Sequence, residues 1–155
     1  MTHPIPKAIV LGGAIAGALD ILYAFTFYGL RGISPLRILQ SIASGLLGSA
    51  SYTGGLLTAF LGLVLHFSIA IAAAGTFYVV SRRLGWLIQH AVISGIVFGL
   101  CVYAVMNLIV VPLSAFPHKQ GFAPLVLATG LLAHMFLFGL PIALCIRAGT
   151  LQLRA

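Results

Sequence analysis

The chain has 155 residues, 61% of them hydrophobic and only 6% charged, with a mean hydropathy of +1.18. Soluble domains carry about 25% charged residues, so a fold of this size has no way to hide so much apolar surface from water, and lipid is the solvent the composition requires. Eight Lys and Arg against a single acid give a net charge of +7. These bases flank apolar runs and form no basic face interleaved with aromatics, which excludes nucleic-acid binding and suits lipid-headgroup contacts.

Residues 1–7 make a short polar tail containing Pro4, Pro6 and Lys7. A first span is expected over 8–29. The run is too long for a signal-peptide core and no small-residue cleavage site precedes a polar mature start, so a retained helix is expected. Gly13, Gly17, Asp20 and Ala24 share a helix face at spacings of three and four. The step Gly13-x-x-x-Gly17 lets another helix approach closely, which puts Asp20, the only acid, inside the protein and away from lipid.

Gly29, Arg31 and Gly32 mark a turn. Ser34-Pro35 is an N-cap followed by proline at the first helical position. The helix expected over about 35–51 is amphipathic, with Leu36, Leu39, Ala43, Leu46 and Ala50 on one face. Arg37, Gln40, Ser41, Ser44, Gly48 and Ser51 make the other. It falls short of the ~20 residues needed to cross a bilayer, so it is expected to lie in the interface plane, a re-entrant segment being the alternative.

Gly54-Gly55 opens a second span, about 55–80, closed by Arg82-Arg83. Gly55, Ala59, Gly62, His66, Ala70 and Ala73 line one face, so His66 is expected between helices. A third span is expected over 86–111, with Trp86 as interface anchor and Pro112 as its end. Tyr103 and Asn107, four apart, share a face of it. A loop with Pro117, His118, Lys119 and Gly121 leads to a fourth span over 122–146. It carries His134, and a kink is expected where Pro141 frees the carbonyl of Leu137.

Four spans put both termini on one side. Lys7, Arg82, Arg83, Arg147 and Arg154 fall there, against Arg31, Arg37 and Lys119 opposite. The bias favours N-in and C-in. Cys101 and Cys145 differ in depth by roughly 15 Å, beyond the ~7 Å between Cα atoms that a disulfide within one chain allows.

Two stretches resemble each other: Gly62-Leu63-Val64-Leu65-His66-Phe67 and Gly130-Leu131-Leu132-Ala133-His134-Met135. Both spans run the same way. Ile33-Ser34-Pro35-Leu36 and Val110-Val111-Pro112-Leu113 echo each other more weakly. Two sources could give this pattern. One is a helix-pair duplication about a membrane-normal axis. The other is chance, since glycine and leucine are abundant.

Taken with Gly17-Ala18-Leu19-Asp20-Ile21, the run from Pro35 to Gly45 and the run from Val105 to Ser114, the first of these stretches resembles a widespread group of small bacterial inner-membrane proteins of unknown function. The resemblance covers nearly the whole chain. It implies four helices and a bacterial inner-membrane location, and carries over no catalytic residue.

By helix rise, Asp20, His66 and His134 lie within roughly 5 Å of the expected midplane. Tyr103 and Asn107 line the outer approach. Ionisable groups at such depth are costly and point to function, but four readings compete. The first is structural: polar side chains bonding neighbouring backbones. The second is a proton path or solute route. The third is a cofactor site, with His66 and His134 as axial ligands of haem b, or both with Asp20 around a divalent metal. The fourth, a lipid-modifying enzyme, lacks a second carboxylate, a nucleophile with its base, and a phosphate clamp. His3, His90 and His118, at ends and tails, are expected to be solvated. The expectation is an all-α transmembrane four-helix bundle with one interfacial helix. It has a non-enzymatic role as a transport or channel-like unit or accessory subunit, with lipid, a second copy or a larger membrane partner as neighbours.

Overall fold

The computed structural model describes residues 4–117 and 123–152. The expectations for His3, His118, Lys119, Gly121, Phe122 and Arg154 lie outside them. Among the described residues every regular element is helical. Helix α1 spans Pro4–Gly29. Helix α2, Pro35–Leu47, starts at Ser34, whose side chain accepts the Arg37 N–H at 3.3 Å. A 3-10 stretch, Gly48–Thr53, leads to α3, Gly55–Arg83. A single turn, Trp86–Gln89, precedes α4, Ala91–Leu113, and α5 covers Pro124–Gln152. Among the described residues, α1, α3, α4 and α5 are long and apolar enough to cross a membrane. At 1.5 Å per residue each exceeds the ~30 Å hydrocarbon core.

Boundaries differ from the sequence expectation where polar rings or prolines intervene. The third long helix begins at Ala91 and not at Trp86, because His90 leaves helical geometry (φ −111°, ψ 46°). Its ring stacks on Trp86 with centroids 4.7 Å apart. Pro112 does not stop α4, which continues to Leu113. The preceding residues Met106–Val110 form a π-helical turn. The same happens on α5, where His134–Gly139 are π-helical just ahead of Pro141. A proline withdraws one N–H from the ladder, and a turn bonded i to i+5 redistributes the carbonyls left behind.

Helix α1 lies between α3 and α5, α4 packs on α5, and α2 packs on α3. Neighbours run antiparallel: Gly13 and Gly17 of α1 meet Ile71 and Phe67 of α3, while Gly95 and Gly99 of α4 meet Leu140 and Met135 of α5. Glycine is what permits contact this close. A Cβ at Gly13 would stand 2.6 Å from Ile71 Cα, and one at Gly99 would run into the His134 carbonyl. Small side chains fill the seams, with Ala16, Ala70, Ala74 and Ala143 buried beside Phe77, Ile142 and Ile146. Large apolar side chains such as Leu22, Phe60, Val97 and Leu108 point outward. That is the inside-out distribution a lipid solvent permits.

Helix α2 ends at Leu47, short of the expected 51, and its two faces are not cleanly divided between protein and surroundings. Of the polar face, Gln40 and Ser44 are buried, as is Ser51 in the 3-10 stretch, while Arg37 is exposed; of the apolar face, Leu36 and Leu46 are exposed and Ala43 is buried. Gln40 Nε2 donates to the Gly55 carbonyl at 3.1 Å, and Thr58 donates to the Ser51 carbonyl at 2.6 Å. Gly62 admits the Leu39 carbonyl of α2 against α3. The end of the 3-10 stretch leaves the Ser51 carbonyl without an intrahelical donor, which the Thr58 hydroxyl supplies, and Gln40 adds a bond to the first turn of α3.

Gly99→Val should therefore cost about 1–3 kcal/mol by overpacking. Gly29→Val, where nothing stands within 4 Å, should cost far less. Unfolding of both variants in detergent, followed by circular dichroism, checks the contrast.

Candidate functional site

A cavity of about 360 Å³ opens among α1, α2, α3, α4 and α5. Asp20, His66, Tyr103, Asn107 and His134 all line it. Five residues from four helices, separated by up to 114 positions, thus face one space.

His66, His134 and Asn107 are each held by a backbone carbonyl. His66 Nε2 donates to the Gly17 carbonyl across the α1–α3 seam at 2.8 Å. The carbonyl can only accept, so the neutral ring carries its proton on Nε2 and leaves Nδ1 as acceptor. The bare Gly17, with Phe67 lying over it, is what lets the ring reach backbone. His134 opens the π-helical turn of α5, and its Nδ1 donates to the Gly130 carbonyl at 3.1 Å. Tyr103 meets the His134 ring edge-on at 5.1 Å, and Phe138 stacks on it at 5.6 Å. Gly130 leaves room for the Tyr103 ring. Asn107 lies in the π-helical turn of α4, where its Nδ2 donates to the Tyr103 carbonyl at 2.8 Å.

Asp20 is the exception to this satisfaction. Its Oδ1 is buried and accepts no hydrogen bond. His134 Nδ1 stands 3.6 Å away, near enough for an ion pair when the ring is protonated, too far for a hydrogen bond. The two side chains are only 15% and 20% exposed. A buried carboxylate oxygen without a partner costs about 1–3 kcal/mol or more, so this atom needs a physical reason.

Sequence reasoning missed three lining residues, Tyr23, Tyr28 and Ser41. Tyr23 had a signal, since it stands one turn after Asp20 on the same face. Tyr28 had one as well, since it continues the Asp20 and Ala24 face at a spacing of four, and Ser41 stood on the polar face of α2 without a sign that it reaches a cavity. A larger groove of about 630 Å³ adjoins the chamber and shares Tyr28, Ile38, Ser41 and Ile42 with it. Its lining is mostly aliphatic, with Arg37 stacked 3.8 Å over the Tyr52 ring.

The placement does not suit the cofactor candidates. Among the described residues no three His, Cys, Asp or Glu side chains converge as a metal set. Asp20 and His134 face each other, but His66 turns to Gly17. The nitrogen that His66 would present to haem iron is the one bonded to backbone. Cys101, exposed, and Cys145, half-buried, are both free.

Comparison with protein-family models, with curated proteins and with solved structures finds no match.

Two stability outcomes follow. His66→Leu loses one interhelical bond and should destabilise by about 0.6 kcal/mol, the average for such bonds. Asp20→Asn replaces an unpartnered carboxylate by a neutral amide, and should raise the thermal midpoint rather than lower it. Differential scanning fluorimetry in detergent measures both. A falling midpoint in Asp20→Asn would mean that the carboxylate holds the fold together.

Proposed function

We propose that the chain is a multi-pass protein of the bacterial inner membrane with both termini in the cytoplasm, acting as a small non-enzymatic transport unit. Helices α1, α3, α4 and α5 form its transmembrane bundle, and lipid covers the outward apolar side chains. One observation carries the reading: the only acid of the chain, two histidines, Tyr103 and Asn107 share a chamber of about 360 Å³. Polar groups kept on a cavity in the apolar part of a bundle are what a solute or ion route requires, and a packing role alone leaves no space between them. The non-enzymatic reading is supported by the chamber's single carboxyl group and by the Ser41 hydroxyl, which donates to the Ile38 carbonyl.

A helix-pair duplication belongs to this proposal. Gly13 and Gly17 of α1 have counterparts in Gly95 and Gly99 of α4, each pair seated on the helix that carries the matching histidine. Two related helix pairs meeting at a chamber is an arrangement found among transporters.

The test is flux into liposomes containing the purified protein, with protons and small organic ammonium ions as probes. The wild type should exceed empty liposomes, and Asp20→Asn should lose about tenfold or more of that excess. Wild-type flux equal to that of empty liposomes overturns the reading.

A further inference from the structure

Resting on that reading, we infer that the chamber takes an organic ammonium ion with an apolar chain. The argument begins with charge. Among the described residues no Lys or Arg lines the chamber, and Asp20 is the only acid in the sequence. Among the described residues the basic side chain in reach of Asp20 is His134, at 3.6 Å. His134 Nδ1 donates to the Gly130 carbonyl and, among the described residues, no group donates to Asp20 Oδ1. That atom is sealed from the chamber, and a cationic head pairs with the part of the Asp20 side chain that lines the chamber wall.

The surroundings select among cations. Tyr23, Tyr28 and Tyr103 contribute rings to the wall, and aromatic faces favour alkylammonium heads. Asn107 gives its Nδ2 hydrogen to the Tyr103 carbonyl, which leaves its Oδ1 as an acceptor. The adjoining groove, lined largely by aliphatic residues such as Ile33, Ile42, Leu65 and Ile69, continues from the chamber past Ile38 and Ser41. Together the two spaces suit a charged head with a chain.

Asp20 and His134 stand 3.6 Å apart on the chamber wall. The other titratable or charged groups facing this pair are Tyr23 and Tyr28 on α1, His66 on α3 and Tyr103 on α4. Arg37 of α2 borders the groove and not the chamber. His66 holds its proton against the Gly17 carbonyl, away from Asp20.

The experiment is titration of full-length protein in nanodiscs of zwitterionic lipid with octylammonium and, as the same chain with an opposite head, octyl sulfate. Octylammonium should bind, and Asp20→Asn should weaken it about tenfold or more. Preferential binding of octyl sulfate, lost in Arg37→Gln, overturns the assignment in favour of an anionic amphiphile. Octylammonium binding indifferent to Asp20→Asn overturns it as well. If Asp20-dependent flux is present in liposomes but octylammonium does not bind, the substrate class falls and the transport unit stands. Asp20-dependent binding without flux leaves the site and removes the transport.

Discussion

Backbone-to-backbone contact between helices decides where this protein is solid and where it is hollow. Lipid tails are as apolar as leucine, so burial alone does not drive helices together in a membrane, and close approach through small residues does. Gly13 and Gly17 close the seam between α1 and α3, while Gly95 and Gly99 close the one between α4 and α5. Gly62 brings α2 onto α3. The chamber around Asp20 opens among these helices. Gly17 also frees the carbonyl that orients the His66 ring, as Gly130 leaves room for Tyr103 beside His134.

Asp20 is the electrostatic counterpart of that geometry. The two histidines and the amide around it are tied to backbone: His66 to Gly17, His134 to Gly130, Asn107 to Tyr103. These bonds fix rings and amide without using the carboxylate. The wall is thereby held in place, and the unsatisfied Oδ1 atom within it belongs to the chamber's one fixed site for negative charge. An orphaned group in an otherwise satisfied shell is the pattern of binding sites, where stability is given up for function.

How much of this could be read from residues alone depends on which physical signal each part leaves. The four long helices were legible because an uncharged apolar run of that length has almost no place to go except lipid, and Asp20, His66 and His134 stood out against it. Gly13-x-x-x-Gly17 was legible as a packing face; Gly95-x-x-x-Gly99, equally plain in the sequence, went unused. Which residues of α2 are buried was not legible. Its alternation of Leu and Ser does not say that Gln40 reaches the first turn of α3 while Ala43 packs beside Gly62. The widened turns were likewise hidden, since a proline marks a break in the ladder without saying how the helix closes over it.

The widened turn of α5 has an effect on how the two halves can be aligned. Between the contacts of Gly17 and Gly13, α3 advances four residues, from Phe67 to Ile71. Between the contacts of Gly99 and Gly95, α5 advances five, from Met135 to Leu140. The additional residue lies within His134–Gly139. Superposing the α1–α3 pair on the α4–α5 pair therefore needs a gap of one position after the histidine, because a gapless superposition goes out of phase there by about 100° of helix rotation.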